Sequence, residues 1–141
     1  MEQLNRLLKR ILDLCGSLFG ILITSPILIL SAIAIKVDSK GPVFFKQERL
    51  GLNGEVFKII KFRTMVDNAE KMGSGIKTFE NDPRITKVGS FLRKTSLDEL
   101  PQLFNVLIGN MSIVGPRPPV PYLPREYEEY SNHQRKRFSV K

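Results

Sequence analysis

A chain of 141 residues holds one domain with at most an appendage. Its formal charge of +8 and pI near 9.8 imply an anionic partner, whether phosphate, nucleic acid or an anionic membrane face. The single cysteine, Cys15, excludes an intrachain disulfide, and the single histidine, His133, excludes a His-ligated zinc cluster and argues against histidine catalysis.

From Leu14 to Ile35 the chain carries no charge, with Arg6, Lys9 and Arg10 before this run and Lys36 after it. The length suits a membrane helix, since about 20 residues cross the bilayer core. It is long for a signal-peptide core, and no clear small-residue cleavage site follows it. Ser25-Pro26 falls in the middle. Pro26 cannot donate to the carbonyl of Leu22 and pushes Ser25 away from helical geometry. The hydroxyls of Thr24 and Ser25 can bond nearby carbonyls in its place, which produces a kink. Both flanks are basic, because Lys36 and Lys40 continue into Lys46, Arg49, Lys58, Lys61 and Arg63. A single span would leave positive charge on both sides of the membrane, whereas a hairpin keeps both ends cytoplasmic. Each arm, about 10 to 12 residues long, reaches roughly one leaflet. The expected organisation is a re-entrant membrane helical hairpin over residues 1–36 and a small, mostly helical α+β domain over 37–141. An ordinary kinked span is the alternative.

Asp38-Ser39-Lys40-Gly41-Pro42 reads as a turn. Val43 to Arg49 and Glu55 to Phe62 read as two strands, with Gly51-Leu52-Asn53-Gly54 supplying hairpin chemistry between them. Alternation places Lys61 and Arg63 on one face, where two solvated charges at a strand edge are the plain reading. Met65 to Met72 has weak helical spacing, Gly73-Ser74-Gly75 is a flexible break, and Asn81-Asp82-Pro83-Arg84 is a turn. An amphipathic stretch follows, with Ile85, Val88, Phe91 and Leu92 on one side, and delivers Arg93 and Lys94 to the segment RKTSLDELPQ.

That segment has two compatible readings. Ser96-Leu97-Asp98-Glu99 matches a capping box with Ser96 as N-cap, or else Asp98 is the N-cap. Pro101 then lies in a first turn, and Leu100, Leu103, Phe104 and Leu107 face a core until Gly109-Asn110 stops the helix. The same geometry keeps carboxylates ionised and attracts phosphate, so an ionised Asp98 beside a metal-ready Glu99 can act as a nucleophile on phosphorus. With no Walker or Rossmann glycine loop in the chain, chemistry falls to carboxylates and arginines.

Downstream, Arg117 stands between Pro116 and Pro118, a pre-organised mount suited to bidentate phosphate binding. From Pro121 to Lys141, Tyr122, Tyr127, Tyr130 and Phe138 mix with Arg135, Lys136 and Arg137. An interfacial amphipathic helix and a solvated terminal helix both fit this tail. No nucleic-acid reading motif is present, and the apolar run gives the basic residues a membrane use.

The runs SKGPVFFKQERLGLNGEVF, KFRTM, NDPRITKVGSFLRKTSLDELPQLFNVL and GNMSIVGPRP, in this order, resemble the bacterial sugar transferase family, the monotopic phosphoglycosyl transferases. The resemblance implies transfer of a sugar phosphate from a UDP-sugar to polyprenol phosphate (undecaprenyl phosphate), with UMP released. This is a priming step at the cytoplasmic face of the bacterial inner membrane, ahead of downstream glycosyltransferases. It implies Asp98 as the nucleophile that forms a covalent phosphosugar intermediate, Glu99 as its partner in holding Mg²⁺, and Arg93 and Arg117 as phosphate ligands. Lys61 and Arg63 match the family's basic strand end, and Ser25-Pro26 matches its re-entrant break. Residues 37–141 become the cytoplasmic catalytic domain with interfacial helices. Many family members continue past the basic tail with a Pro-Gly-rich, Thr-Gly-containing segment and further helices, whereas this chain stops at Phe138-Ser139-Val140-Lys141. The expectation is therefore a C-terminally truncated chain, a fragment or a shortened natural version. The competing expectation is an inactive membrane-bound fragment that binds anionic lipid or nucleotide-sugar without turnover.

Overall fold

A computed structural model describes residues 2–72, 75, 78, 79, 81–121 and 127–139, with backbone only at 2, 3 and 137. The break expected at Gly73-Ser74-Gly75 and the tail's Tyr122 lie largely or wholly outside these residues, as does the side chain of Arg137. The architecture is α+β. A long apolar helix α1 (Glu2–Asp38) precedes a hairpin of β1 (Phe44–Leu50) and β2 (Val56–Phe62). Short helices α2 (Lys87–Lys94), α3 (Gln102–Ile108) and α4 (Asn132–Arg135) follow, interspersed with single 3₁₀ turns.

The helix α1 has an inverted burial pattern. Asp13, Ser17 and Ser31 are buried along with Ile35, while Leu12, Phe19, Leu22, Leu30 and Val37 are 64–83% exposed. Only 11% of its most apolar stretch is buried, which separates it from the core helix of a water-soluble protein. It is long and apolar enough to cross a bilayer. The turn-back expected at Ser25-Pro26 is not shown, for α1 is a single helical element with Pro26 inside it. One proline deletes one intrahelical bond, and the apolar runs on either side sustain the helix across it.

Two compact units share the chain, and their boundary within α1 falls between Ile23 and Thr24, just before Ser25-Pro26. The first comprises Met1–Ile23, Lys46–Ile60 and Gln102–Lys141. Here the amino-terminal turns of α1 are pinned by charge. Arg10 donates to the carbonyls of Val106 and Leu107 at 2.7 and 2.8 Å, capping α3 where Gly109 (φ 94°) ends it. The buried Asp13 accepts from Ser112 Oγ and the Ile113 amide at 2.9 and 3.1 Å. Asn105, fully buried, completes the outer edge of β2, accepting from the Ile60 amide at 2.9 Å and donating to the Lys58 carbonyl at 2.8 Å. An edge strand otherwise leaves such groups open to pairing with another chain. Among the described residues of the tail no long terminal helix forms. Instead α4 and the flanking 3₁₀ turns Tyr127–Glu129 and Lys136–Phe138 pack around a cluster of Leu50, Tyr130 and Phe138, with Tyr127 alongside.

The second unit comprises Thr24–Phe45 and Lys61–Pro101. Its core is Ile35, Phe62 and Leu92, each 2% exposed, with Leu28, Ala32, Val43, Val88 and Leu97 around it. Burying each of these three side chains contributes about 1.5–3 kcal/mol. Asp82 and Arg84 form a buried staple. Arg84 Nε and Nη2 donate to the Asp82 carboxylate at 2.9 and 2.6 Å, while Nη1 gathers the carbonyls of Ala69, Met72 and Gly75. The Arg84 hydrogen bond, against the opposing pull of burial, lowers the Asp82 carboxyl from 3.8 to about 2. The folded state therefore holds this proton less firmly than the unfolded chain. The resulting stability is present above the ordinary value of 3.8 and is lost as pH falls through about 2. Asp82→Asn is expected to melt well below the parent at pH 7, with the difference shrinking as melts are repeated from pH 4 towards pH 2. Parallel melting curves across that window would refute the staple's role.

Candidate functional site

The carboxylate pair sits in the second unit, and its setting is built from the ends of three elements. At the close of α1, Arg63 donates to the Ser39 carbonyl at 2.9 Å and to that of Lys40, so it secures the helix terminus to the end of β2. Arg63 is only 6% exposed. The plain reading of Arg63 as a solvated charge at a strand edge is corrected here, for its guanidinium makes this buried capping contact. Asp38, at the end of α1, accepts from the Val88 amide at 3.0 Å. Thr86 is the N-cap of α2 and accepts from the Gly89 amide at 2.9 Å. Two side chains thus satisfy open donors at one helix start.

The helix α2 lies against the strand end that follows β2. Thr86 N donates to the Thr64 carbonyl at 3.1 Å, and Met65 pairs with Ile85 in an isolated antiparallel bridge. At the other end of α2, Arg93 Nε donates to the buried Thr64 Oγ1 at 2.8 Å, which fixes the plane of the guanidinium. Thr95 and Ser96 then end the helix, Ser96 with φ of 57°. A left-handed residue here turns the chain sharply into the 3₁₀ turn Leu97–Glu99. The capping box expected at Ser96 does not form. The Ser96 side chain makes no cap bond, and α3 starts only at Gln102, after the buried Pro101.

Glu99 is drawn elsewhere. Its Oε1 accepts from Lys61 Nζ at 2.7 Å, across 38 residues of sequence. Asp98 is half-buried beside it. Burial raises the Asp98 carboxyl above its ordinary value, Lys61 pulls it down, Glu99 raises it further, and Arg93 lowers it. The structure therefore brings Asp98, Glu99, Lys61 and Arg93 into one electrostatic neighbourhood. Arg117 belongs to the first unit, exposed in the loop after α3. There Arg49 donates to the Pro118 carbonyl at 3.1 Å, and the Leu50 amide to that of Pro119 at 2.9 Å, which ties the loop to β1.

Among the described residues no group of three or more His, Cys, Asp or Glu side chains converges as a metal cage. Two adjacent carboxylates do suit Mg²⁺, which takes one or two carboxylates and completes its octahedron with water and phosphate oxygens. Sequence reasoning missed Thr64 and Asp38. Thr64 follows directly on the Lys61–Arg63 strand end and could have been suspected there, whereas nothing local marks Asp38 as a cap for a helix 50 residues away.

The bacterial sugar transferase family model matches residues 4–141, and the chain belongs to this family. The UDP-glucose:undecaprenyl-phosphate glucose-1-phosphate transferase of Klebsiella pneumoniae is 50% identical over 120 residues, which cover 84% of this chain and 25% of that protein. The exopolysaccharide production protein PSS of Rhizobium leguminosarum bv. phaseoli is 48% identical, covering 81% of this chain and 57% of its own length. Galactosyl transferase CpsE of Streptococcus agalactiae is 44% identical over 94% of this chain and 31% of its own. The chain thus spans between about a quarter and somewhat over half of these relatives.

Proposed function

We propose that this chain is a membrane-associated phosphoglycosyl transferase that moves a sugar phosphate from a UDP-sugar to polyprenol phosphate. The observation that carries the reading is the half-buried Asp98 next to Glu99, ringed by Lys61 and Arg93, in a chain of this family. The names of the relatives support undecaprenyl phosphate as acceptor and a nucleotide-linked hexose as donor.

In this reading the Asp98 carboxylate attacks the sugar-bearing phosphorus of the donor. An Asp98 oxygen–phosphorus bond forms, the bridging phosphoanhydride bond breaks, and UMP leaves with the electron pair. A phosphate oxygen of the polyprenol phosphate then attacks the same phosphorus, releases Asp98 and gives the polyprenyl diphosphosugar. That product is the substrate class that glycosyltransferases extending a lipid-linked glycan consume. An anionic nucleophile approaching a diphosphate needs positive charge around it. Arg93, held through Nε by Thr64, presents the remaining edge of its guanidinium, and Lys61 supplies an ammonium. Mg²⁺ held by Asp98 and Glu99 would neutralise phosphate charge. The test is UMP release from a panel of UDP-sugars, with polyprenol phosphate and Mg²⁺ present. Release with one sugar names the donor, and no release from any sugar favours binding without turnover.

The membrane part of the proposal rests on the inverted burial of α1 and on Pro26 at the middle of its apolar run. The helix enters the inner leaflet of the bacterial cytoplasmic membrane and bends back at Pro26, leaving the carboxylate pair on the cytoplasmic side. With Cys15 replaced by serine, Asn5→Cys and Lys40→Cys are both expected to react with an impermeant thiol reagent only from the cytoplasmic side. Labelling from opposite sides would make α1 a simple span.

A further inference from the structure

Lys61 closes the carboxylate pair. Its Nζ lies 2.7 Å from Glu99 Oε1, with the lysine side chain 16% exposed and that of Glu99 39%. The contact is tertiary, for β2 carries Lys61 and the 3₁₀ turn carries Glu99. Mg²⁺ binds carboxylate oxygen at about 2.0–2.1 Å and demands near-octahedral geometry. An ammonium already hydrogen-bonded to that carboxylate crowds the approach, and two cations a few ångströms apart repel strongly where solvent is partly excluded. Lysine is suited to move away. Its ammonium is a point charge on a flexible stem, without the rigid fork that would hold an arginine to one partner.

We propose that Lys61 is a cation gate on the pair: its ammonium occupies Glu99 while the donor is absent, and shifts onto the diphosphate when nucleotide-sugar and divalent ion bind together. This inference rests on the phosphoglycosyl transferase reading of the pair. It makes ion and donor mutually dependent, because only the diphosphate gives the displaced ammonium a new anionic partner. By linkage, each then strengthens the other's binding by the same factor.

The experiment is a Mn²⁺ titration followed by electron paramagnetic resonance, on the full chain in detergent micelles, reversed by Mg²⁺ and run with and without UDP. For the parent, weak Mn²⁺ binding that tightens with UDP is expected. Lys61→Gln is expected to bind Mn²⁺ alone about fivefold more tightly, the effect of releasing an ion pair of this exposure. It also loses most of the enhancement by UDP. Lys61→Arg keeps the pair and stays as weak as the parent. Unchanged or weaker binding by Lys61→Gln, in a protein that melts like the parent, overturns the gate. Glu99→Gln separates the two levels. If it abolishes Mn²⁺ binding while Lys61→Gln fails to tighten it, the gate is wrong and the pair remains the metal site. If Glu99→Gln binds like the parent, the pair is not the metal site and both readings fall.

Discussion

Asp98→Asn is expected to abolish sugar-phosphate transfer, by roughly a thousandfold or more, while melting at or above the temperature of the parent. The two effects have separate causes. An amide cannot attack phosphorus, so the covalent step is lost. Stability follows from the raised carboxyl of Asp98, whose first cause is burial, opposed by Lys61. The folded chain holds this proton more firmly than the unfolded chain does. The stability linked to it is complete below the ordinary value of 3.8, and it is lost as pH rises through the raised folded value. At neutral pH the ionised carboxylate therefore weighs against folding, and the neutral isostere removes that weight. The same sign predicts a parent rate that falls with pH as Asp98 takes up its proton. UMP release and thermal melts on the same preparations check both. Retained turnover would end the nucleophile assignment, and a melt several degrees lower would make Asp98 a structural residue.

That prediction depends on geometry of which sequence gives only half. The pattern Ser96-x-x-Glu99 is a fair capping-box match, and the apolar run after it does become α3 with its stop at Gly109. The box fails because Ser96 has a prior obligation. It follows the last residues of α2 and takes up the left-handed conformation that ends that helix, so its hydroxyl cannot cap the next one. Glu99 is then available to Lys61, a partner that no local window contains. The same limit hid Asn105, which sits among Leu103, Phe104 and Leu107 and reads as a polar interruption of a core face. It serves instead as the missing hydrogen-bonding neighbour of β2. Periodicity and turn chemistry reveal elements, while long-range polar contacts decide how their ends are joined. The adjacency of Asp98 and Glu99 is legible in sequence, while their cationic neighbour Lys61, 38 residues from Glu99, is not. Arg63 reads as a solvated edge charge because its partners, Ser39 and Lys40, are distant in sequence.

Gly89→Ala carries the largest expected effect on folding, and it reaches the site through backbone alone. An alanine in the first turn of a helix would ordinarily stabilise it by about 0.5–1 kcal/mol. Here a Cβ would overlap the Thr64 carbonyl oxygen and lie 2.6 and 2.7 Å from the carbonyl carbon and Cα of that residue. All three are main-chain atoms and cannot rotate away. Either α2 or the strand end after β2 must move, and the contacts between them are the Thr86–Thr64 bond, the Met65–Ile85 bridge and the Arg93–Thr64 bond. The steric term prevails over propensity, with a net loss of about 2 kcal/mol or more. Because Arg93 is aimed by Thr64, transfer activity should fall even in the fraction that stays folded. Gly16→Ala is the fitting control. Its Cβ would meet only the tip of the Ile113 side chain, 2.6 Å away on a residue 51% exposed, which can rotate aside. Thermal melts of the two variants should therefore diverge, with Gly16→Ala near the parent and Gly89→Ala far below it. Equal melting would mean that α2 can stand off from Thr64, and the account of how Arg93 is positioned would have to be given up.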